Sequence, residues 1–112
     1  MKRSFLGEFE EVVLLVVAAC MEEPYGVIIW EQLQHQTGRS ITISTVHATL
    51  YRLEEKGFLS SQLGGATAER GGRRKRFFTL TGTSSKALLE IQEVRSQLWQ
   101  AIPQGKLQVI GQ

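Results

Sequence analysis

The sequence predicts a mainly α chain with one small β-hairpin, an α+β arrangement of 112 residues. Three observations carry this. Apolar residues recur at helical spacing in four separate stretches. Glycine and proline punctuate the chain between and after them, at Pro24, Gly38, Gly57 and Pro103. One segment breaks the helical pattern: residues 75–80 alternate as a strand does, directly after a glycine-rich basic run. The length suits one domain of modest core. A hydrophobic fraction of 42% is ordinary for a globular protein and argues against global disorder.

The first helix is expected over residues 8–21. Phe9, Val12, Val13, Val16 and Val17 supply its stripe, and acids crowd its first turn, where the helix dipole favours them. Pro24 ends it. A second helix is expected over residues 25–37, with Gly26 permitting a close approach near its start. Val27 or Ile28, Ile29 and Leu33 form its stripe, and Gly38 is a stop of the left-handed type. Residues 40–43 are short and β-branched and read as a brief strand. The third helix should begin near Ser44, a suitable N-cap. Val46, Leu50 and Leu53 then define one buried face, and Gly57 closes the helix. Residues 58–64 and 73–80 read as antiparallel strands joined by a loop over 65–72. Phe78 and Leu80 share the face that turns to the core. A fourth helix should run from Thr81, another good cap, to about Ile102, where Pro103 stops it. Helix, short strand, helix and basic hairpin, in that order, describe a winged helix-turn-helix domain over residues 1–80. Residues 81–103 form a C-terminal dimerisation helix, and 104–112 read as a flexible tail.

Charge is concentrated. Arg70, Arg73, Arg74, Lys75 and Arg76 fall within seven residues. Residues 39–78 carry eight cations and three acids, a balance of +5 in a chain whose total is only +2. A local positive field on a rigid hairpin is a device for gripping phosphates. The bland alternative is a charged hairpin edge that deters strand aggregation. The outer face of the third helix shows Thr45, His47, Ala48, Thr49, Tyr51 and Arg52. Side chains that are short or hydrogen-bonding, with few carboxylates, can enter a major groove without repulsion. The candidate DNA contacts are therefore Ser44, Thr45, His47, Thr49, Tyr51 and Arg52 on the helix. On the wing they are Arg70, Arg73, Arg74 and Lys75, which should meet phosphates.

The last helix carries a second argument. Leu88, Ile91, Val94 or Arg95, Leu98 and Ile102 follow a three–four spacing, and Ala87, Leu89 and Trp99 widen the stripe. A helix of roughly 20 residues is about 30 Å long, more than so small a core can cover. The simplest partner is the same helix of a second chain across a two-fold axis. Leu88, Ile91, Leu98 and Ile102 are its candidate interface residues. The alternative is a helix folded back over its own domain.

Other chemistry finds little support. The chain has no Asp and no Asn, and Cys20 is its only cysteine, so no internal disulfide forms and a reducing compartment fits. Cys20 reads as a small core residue, Tyr25 and Trp30 as packing residues and His35 as surface. Two histidines and one thiol make no metal-ligand pattern. Phosphate-loop and dinucleotide fingerprints are absent, the glutamate pairs read as solvated, and neither enzyme activity nor a cofactor is expected. The apolar run at 12–20 is too short to span a bilayer and its acidic flank is wrong for a secretory signal, so the expected location is cytoplasmic.

Several motifs coincide in one known family. They are Phe9-Glu10-Glu11-Val12-Val13-Leu14-Leu15, Tyr25-Gly26 after Pro24, the run from Leu50 to Gly57 (LYRLEEKG), and the run from Gly71 to Thr81 (GGRRKRFFTLT). On these the chain resembles the PadR family of bacterial transcriptional regulators, particularly its short members, over residues 9–102. The resemblance implies a homodimeric winged-helix DNA-binding protein, commonly a repressor, reading DNA with the third helix and touching backbone with the wing. His47 stands where the family usually has Tyr, and Phe77 and Phe78 stand where it often has Tyr. Multidrug-responsive members hold flat, apolar, often cationic compounds with aromatic residues of the last helix. That makes Trp99 the candidate ligand contact, with Glu90 or Glu93 to complement a cation. The expected function is thus a regulator, a repressor, binding a pseudo-palindromic operator as a homodimer and released by a small apolar or aromatic ligand. Two other classes fit the same residues: a protein-interaction module whose wing binds an acidic partner, and a small-molecule sensor without a direct DNA role.

Overall fold

The computed structural model describes residues 6–21, 24–64 and 75–108. Its elements in chain order are α1 (Glu8–Ala19), α2 (Gly26–Thr37), α3 (Ile43–Glu55), β1 (Leu59–Leu63), β2 (Arg76–Leu80) and α4 (Gly82–Ala101). Three helices, an antiparallel hairpin and a long last helix make a winged helix-turn-helix fold, as the sequence predicts.

The core forms where the helical stripes converge. Val13, Leu14, Ile29, Leu33, Val46 and Leu53 are wholly buried. Phe58, Leu59 and Phe78 close the core from the hairpin side. Removing a side chain such as Leu50 from this layer would cost roughly 2–5 kcal/mol.

Local chemistry sets the ends. α1 stops at Ala19 rather than Met21, with Cys20 as its extended C-cap, so the helix ends before Pro24. Gly38 adopts φ 73°, and its amide donates to the Gln34 carbonyl at 2.9 Å. A side chain would be strained there. Residues 40–43 do not form the expected strand. Gln34 Oε1 accepts from the Ile41 amide at 3.3 Å, and Trp30 Nε1 donates to the Ile41 carbonyl at 2.7 Å. Side chains satisfy that backbone, so it needs no strand neighbour. The cap of α3 is Thr42, not Ser44: its Oγ1 accepts from the Thr45 amide at 3.2 Å.

The hairpin pairs Leu59 with Leu80 and Leu63 with Arg76. β2 also meets the α1–α2 connection on its other side. The Phe78 amide donates to the Pro24 carbonyl at 3.0 Å, and Tyr25 bridges Phe77. The stem of the wing is therefore held from both edges. Thr81 then starts α4 reciprocally. Its Oγ1 accepts from the Ser84 amide at 3.2 Å while Ser84 Oγ accepts from the Thr81 amide at 3.0 Å. The first turns of α4 half-bury Ala87 and Leu88 against the chain's own core, whereas Leu98 and Trp99 stand 63% and 65% exposed. Residues 103–108 are turns and bends beyond the helix. Among the described residues, no helix is long and apolar enough to cross a membrane.

Candidate nucleic-acid interface

The outer face of α3 is set by its buried one. Val46, Thr49, Leu50 and Leu53 turn inward. Ser44, Ala48, Tyr51 and Glu55, spaced i, i+4, i+7 and i+11, run in a line down the opposite, exposed side. Thr49 departs from expectation. It is 2% exposed, and its hydroxyl donates to the Thr45 carbonyl at 2.9 Å. Its place three residues after Val46 and four before Leu53 puts it on the core stripe, so it is withdrawn from the reading face.

On one flank α3 meets the wing. The His47 ring lies against Gly26, where an added Cβ would come within 2.5 Å of His47 Nε2. The glycine thus makes room for the histidine. His47 meets Tyr51 edge to face at 6.4 Å, and Tyr51 meets Phe78 at 6.1 Å. Further along the same flank, Tyr25 packs its ring against Phe77 at 5.8 Å, and Lys75 Nζ sits 4.3 Å from the Tyr25 ring centre. Arg76 Nη1 donates to Ser61 Oγ at 2.9 Å, and that hydroxyl donates to Glu54 Oε2 at 2.6 Å. The last turn of α3 is thereby tied to the hairpin. Arg70, Arg73 and Arg74 lie outside the described residues.

On the other flank stand Thr45, Arg52 and Lys56, facing α1. Here the expectation that the glutamate pairs are solvated fails. Glu10 is 6% exposed. It accepts from Arg52 Nε at 2.9 Å, from Lys56 Nζ at 2.9 Å and from the Gly7 amide at 2.9 Å. Burial alone would raise its carboxyl; the bonds from Arg52, the Gly7 amide and Lys56 outweigh that and hold it at about 2. A signal for this was present in the sequence. Glu10, Val13, Leu14 and Val17 are spaced i, i+3, i+4 and i+7, which places an acid on the buried stripe of α1. Its neighbours in the same turn reach elsewhere: Glu8 pairs with Arg39 at 2.6 Å, and Glu11 with Arg95 of α4 at 2.9 Å. Burial also pushes the Cys20 thiol up, away from the reactive thiolate.

The arrangement is a groove-sized helix face of short polar and aromatic side chains, bounded on both flanks by cations. The same architecture occurs in solved structures of transcriptional regulators. A PadR-like regulator from Bacillus cereus superposes with a TM-score of 0.65 at 16% identity, covering 82% of this chain and 84% of that one. A PadR-like transcription factor from Bacteroides fragilis gives 0.66 at 20% identity, over 82% and 84%. The fold is that of the PadR-like regulators. RosR of H. salinarum shares it as well, with a TM-score of 0.67 at 21% identity over 88% of this chain and 81% of its own. No family model and no curated protein sequence matches the chain. In the PadR-like frame, α3 is the second helix of the helix-turn-helix and β1–β2 is the wing.

Proposed function

We propose that the protein is a sequence-specific, double-stranded DNA-binding transcriptional regulator. It acts as a homodimer on a pseudo-palindromic operator and represses by occupying it. The observation that carries this is the exposed line Ser44, Ala48 and Tyr51 on α3, with Arg52 and Lys56 on one flank of the helix and, past His47 and Gly26 on the other, Lys75 held over the Tyr25 ring. A face with that composition suits a major groove, and cations at its margins suit the two bordering backbones.

In this reading Ser44, Thr45 and Tyr51 approach base edges or the phosphates at the groove's lip. His47 adds a contact on the wing side. Arg52 and the wing cations Arg70, Arg73, Arg74 and Lys75 meet phosphates. The second copy covers α4, whose Val94, Leu98 and Trp99 are all more than half exposed in the single chain. Ile91 and Ile102 border that stripe. An exposed apolar row of this length supports a two-fold helix pair. The Trp99 ring, near the end of α4, is the proposed contact for a flat apolar ligand that would release the operator.

The test is selection of duplexes from a random-sequence pool by the purified protein. The reading expects enrichment of a pseudo-palindrome whose half-site centres lie about one helical turn or a multiple apart. A pool that stays random after repeated rounds would contradict it.

A further inference from the structure

Glu10 is the most buried carboxylate among the described residues, and it sits directly behind the reading helix. Burying a carboxylate is costly, and an apolar side chain of similar size often serves packing as well or better. What the carboxylate does here is hold two cations of α3 at once. One cation would neutralise it; Arg52 and Lys56 together bring two positive charges to its one negative. The charge that remains faces outward, because Arg52 is half exposed.

The way Arg52 is held matters. A guanidinium carries a planar fork of five N–H donors. Glu10 takes only Nε, at 2.9 Å, and the two terminal nitrogens make no hydrogen bond among the described residues. Fixing Nε fixes the plane of the fork and leaves its outer edge free. Arg52 lies seven residues after Thr45, so both occupy the same flank of α3, two turns apart.

We infer that Glu10 is a positioning residue for the DNA interface: it locks Arg52 through Nε so that the Nη edge is presented to a backbone phosphate beside the groove that α3 enters. This rests on the DNA-binding reading above. Glu10 itself does not touch DNA. It makes a flexible cation into an oriented one, which raises affinity for the register in which a phosphate meets that edge, and not for DNA at large. A freed Arg52 would still attract phosphates, but in many registers.

The experiment measures binding of a wild-type-selected duplex and a scrambled duplex by fluorescence anisotropy, at several salt concentrations. The proteins are wild type, Glu10→Gln, Arg52→Ala, Arg52→Lys and the Glu10→Gln/Arg52→Ala double variant, each checked for folding by circular dichroism. Arg52→Ala should lower the salt slope by about one, the signature of one lost phosphate. Glu10→Gln should lower the ratio of selected to scrambled affinity by about three- to tenfold, while binding to the scrambled duplex holds or rises. In the Arg52→Ala background the Glu10 change should alter the ratio no further. Arg52→Lys keeps the charge but has no Nε to lock, so it should keep the salt slope and lose the ratio. That variant carries the test if Glu10→Gln does not fold. An unchanged ratio in a folded Glu10→Gln protein, multiplicative effects in the double variant, or a lysine that fully replaces Arg52 would each overturn the inference and leave DNA binding intact. Failure of the wild type to select any duplex would overturn both.

Discussion

Replacing Glu10 by Gln should remove a contribution to stability and, with it, part of the acid sensitivity of the fold. The Glu10 carboxyl is held at about 2, against an ordinary value of 4.5. The native state therefore keeps it ionised at pH values where the unfolded chain has taken up the proton. Such a group stabilises the fold fully above about 4.5, and the contribution is lost as pH falls from there toward 2. The whole shift corresponds to roughly 3 kcal/mol. Arg52 and Lys56 are 50% and 38% exposed, so water screens the cluster, and about 1–2 kcal/mol is the expected size. Urea denaturation at one fixed protein concentration, repeated between pH 7 and pH 2.5, measures it. The Gln variant should be less stable by that amount at neutral pH, and the gap should narrow steadily below about pH 4.5. A variant as stable as wild type at pH 7, or a gap that ignores pH, would refute the reasoning.

Gly26→Ala should displace the His47 ring while barely altering the melting temperature, because the clashing atom is the end of an exposed side chain. Its preference among operator variants should match that of His47→Ala, and the double variant should add nothing; an effect that persists with His47 absent would place the fault elsewhere. Tyr25→Leu should weaken DNA binding about as much as Lys75→Ala and Tyr25→Phe should not, since the phenyl face suffices to hold the ammonium 4.3 Å away; equal losses with Phe and Leu would exclude the ring face. Leu98→Glu should shift sedimentation toward monomer and lower operator affinity with it; a wild type already monomeric at micromolar concentration would remove the basis for this. Planar dyes should quench Trp99 fluorescence, with Trp30→Phe as the control variant; quenching that survives Trp99→Phe would move the ligand away from α4.

Much of this fold was legible because local signals agreed. Gly38 and Thr81 act as the helix stop and cap that their residue types suggest. Val46, Leu50 and Leu53 are buried as their spacing requires, and Phe78 is the core residue of β2. The misreadings came from tertiary context. Residues 40–43 have strand-like composition, but Trp30 and Gln34 bond the backbone that a strand partner would have needed. Thr49 looks like a reading residue by type, yet lies on the buried stripe by position. Glu10 reads as solvated by type, although its spacing with Val13, Leu14 and Val17 puts it on the inward stripe, and nothing local shows that Arg52 and Lys56, more than forty residues later, would meet it. The proximity of Lys75 to Tyr25 was equally hidden, because it depends on β2 pairing with the α1–α2 connection. The site was thus visible as a helix face and a basic run, and its bracing became visible only when the chain was folded.

The central claim is that two copies of this chain bind one DNA site through α3 and the wing. Sedimentation velocity of a labelled, protein-selected duplex titrated with protein tests it directly. A single complex with two protomers per duplex is expected, weakening steeply as salt rises because several phosphate contacts are made by each protomer. One protomer per duplex at saturation, or a complex indifferent to salt, would contradict the account.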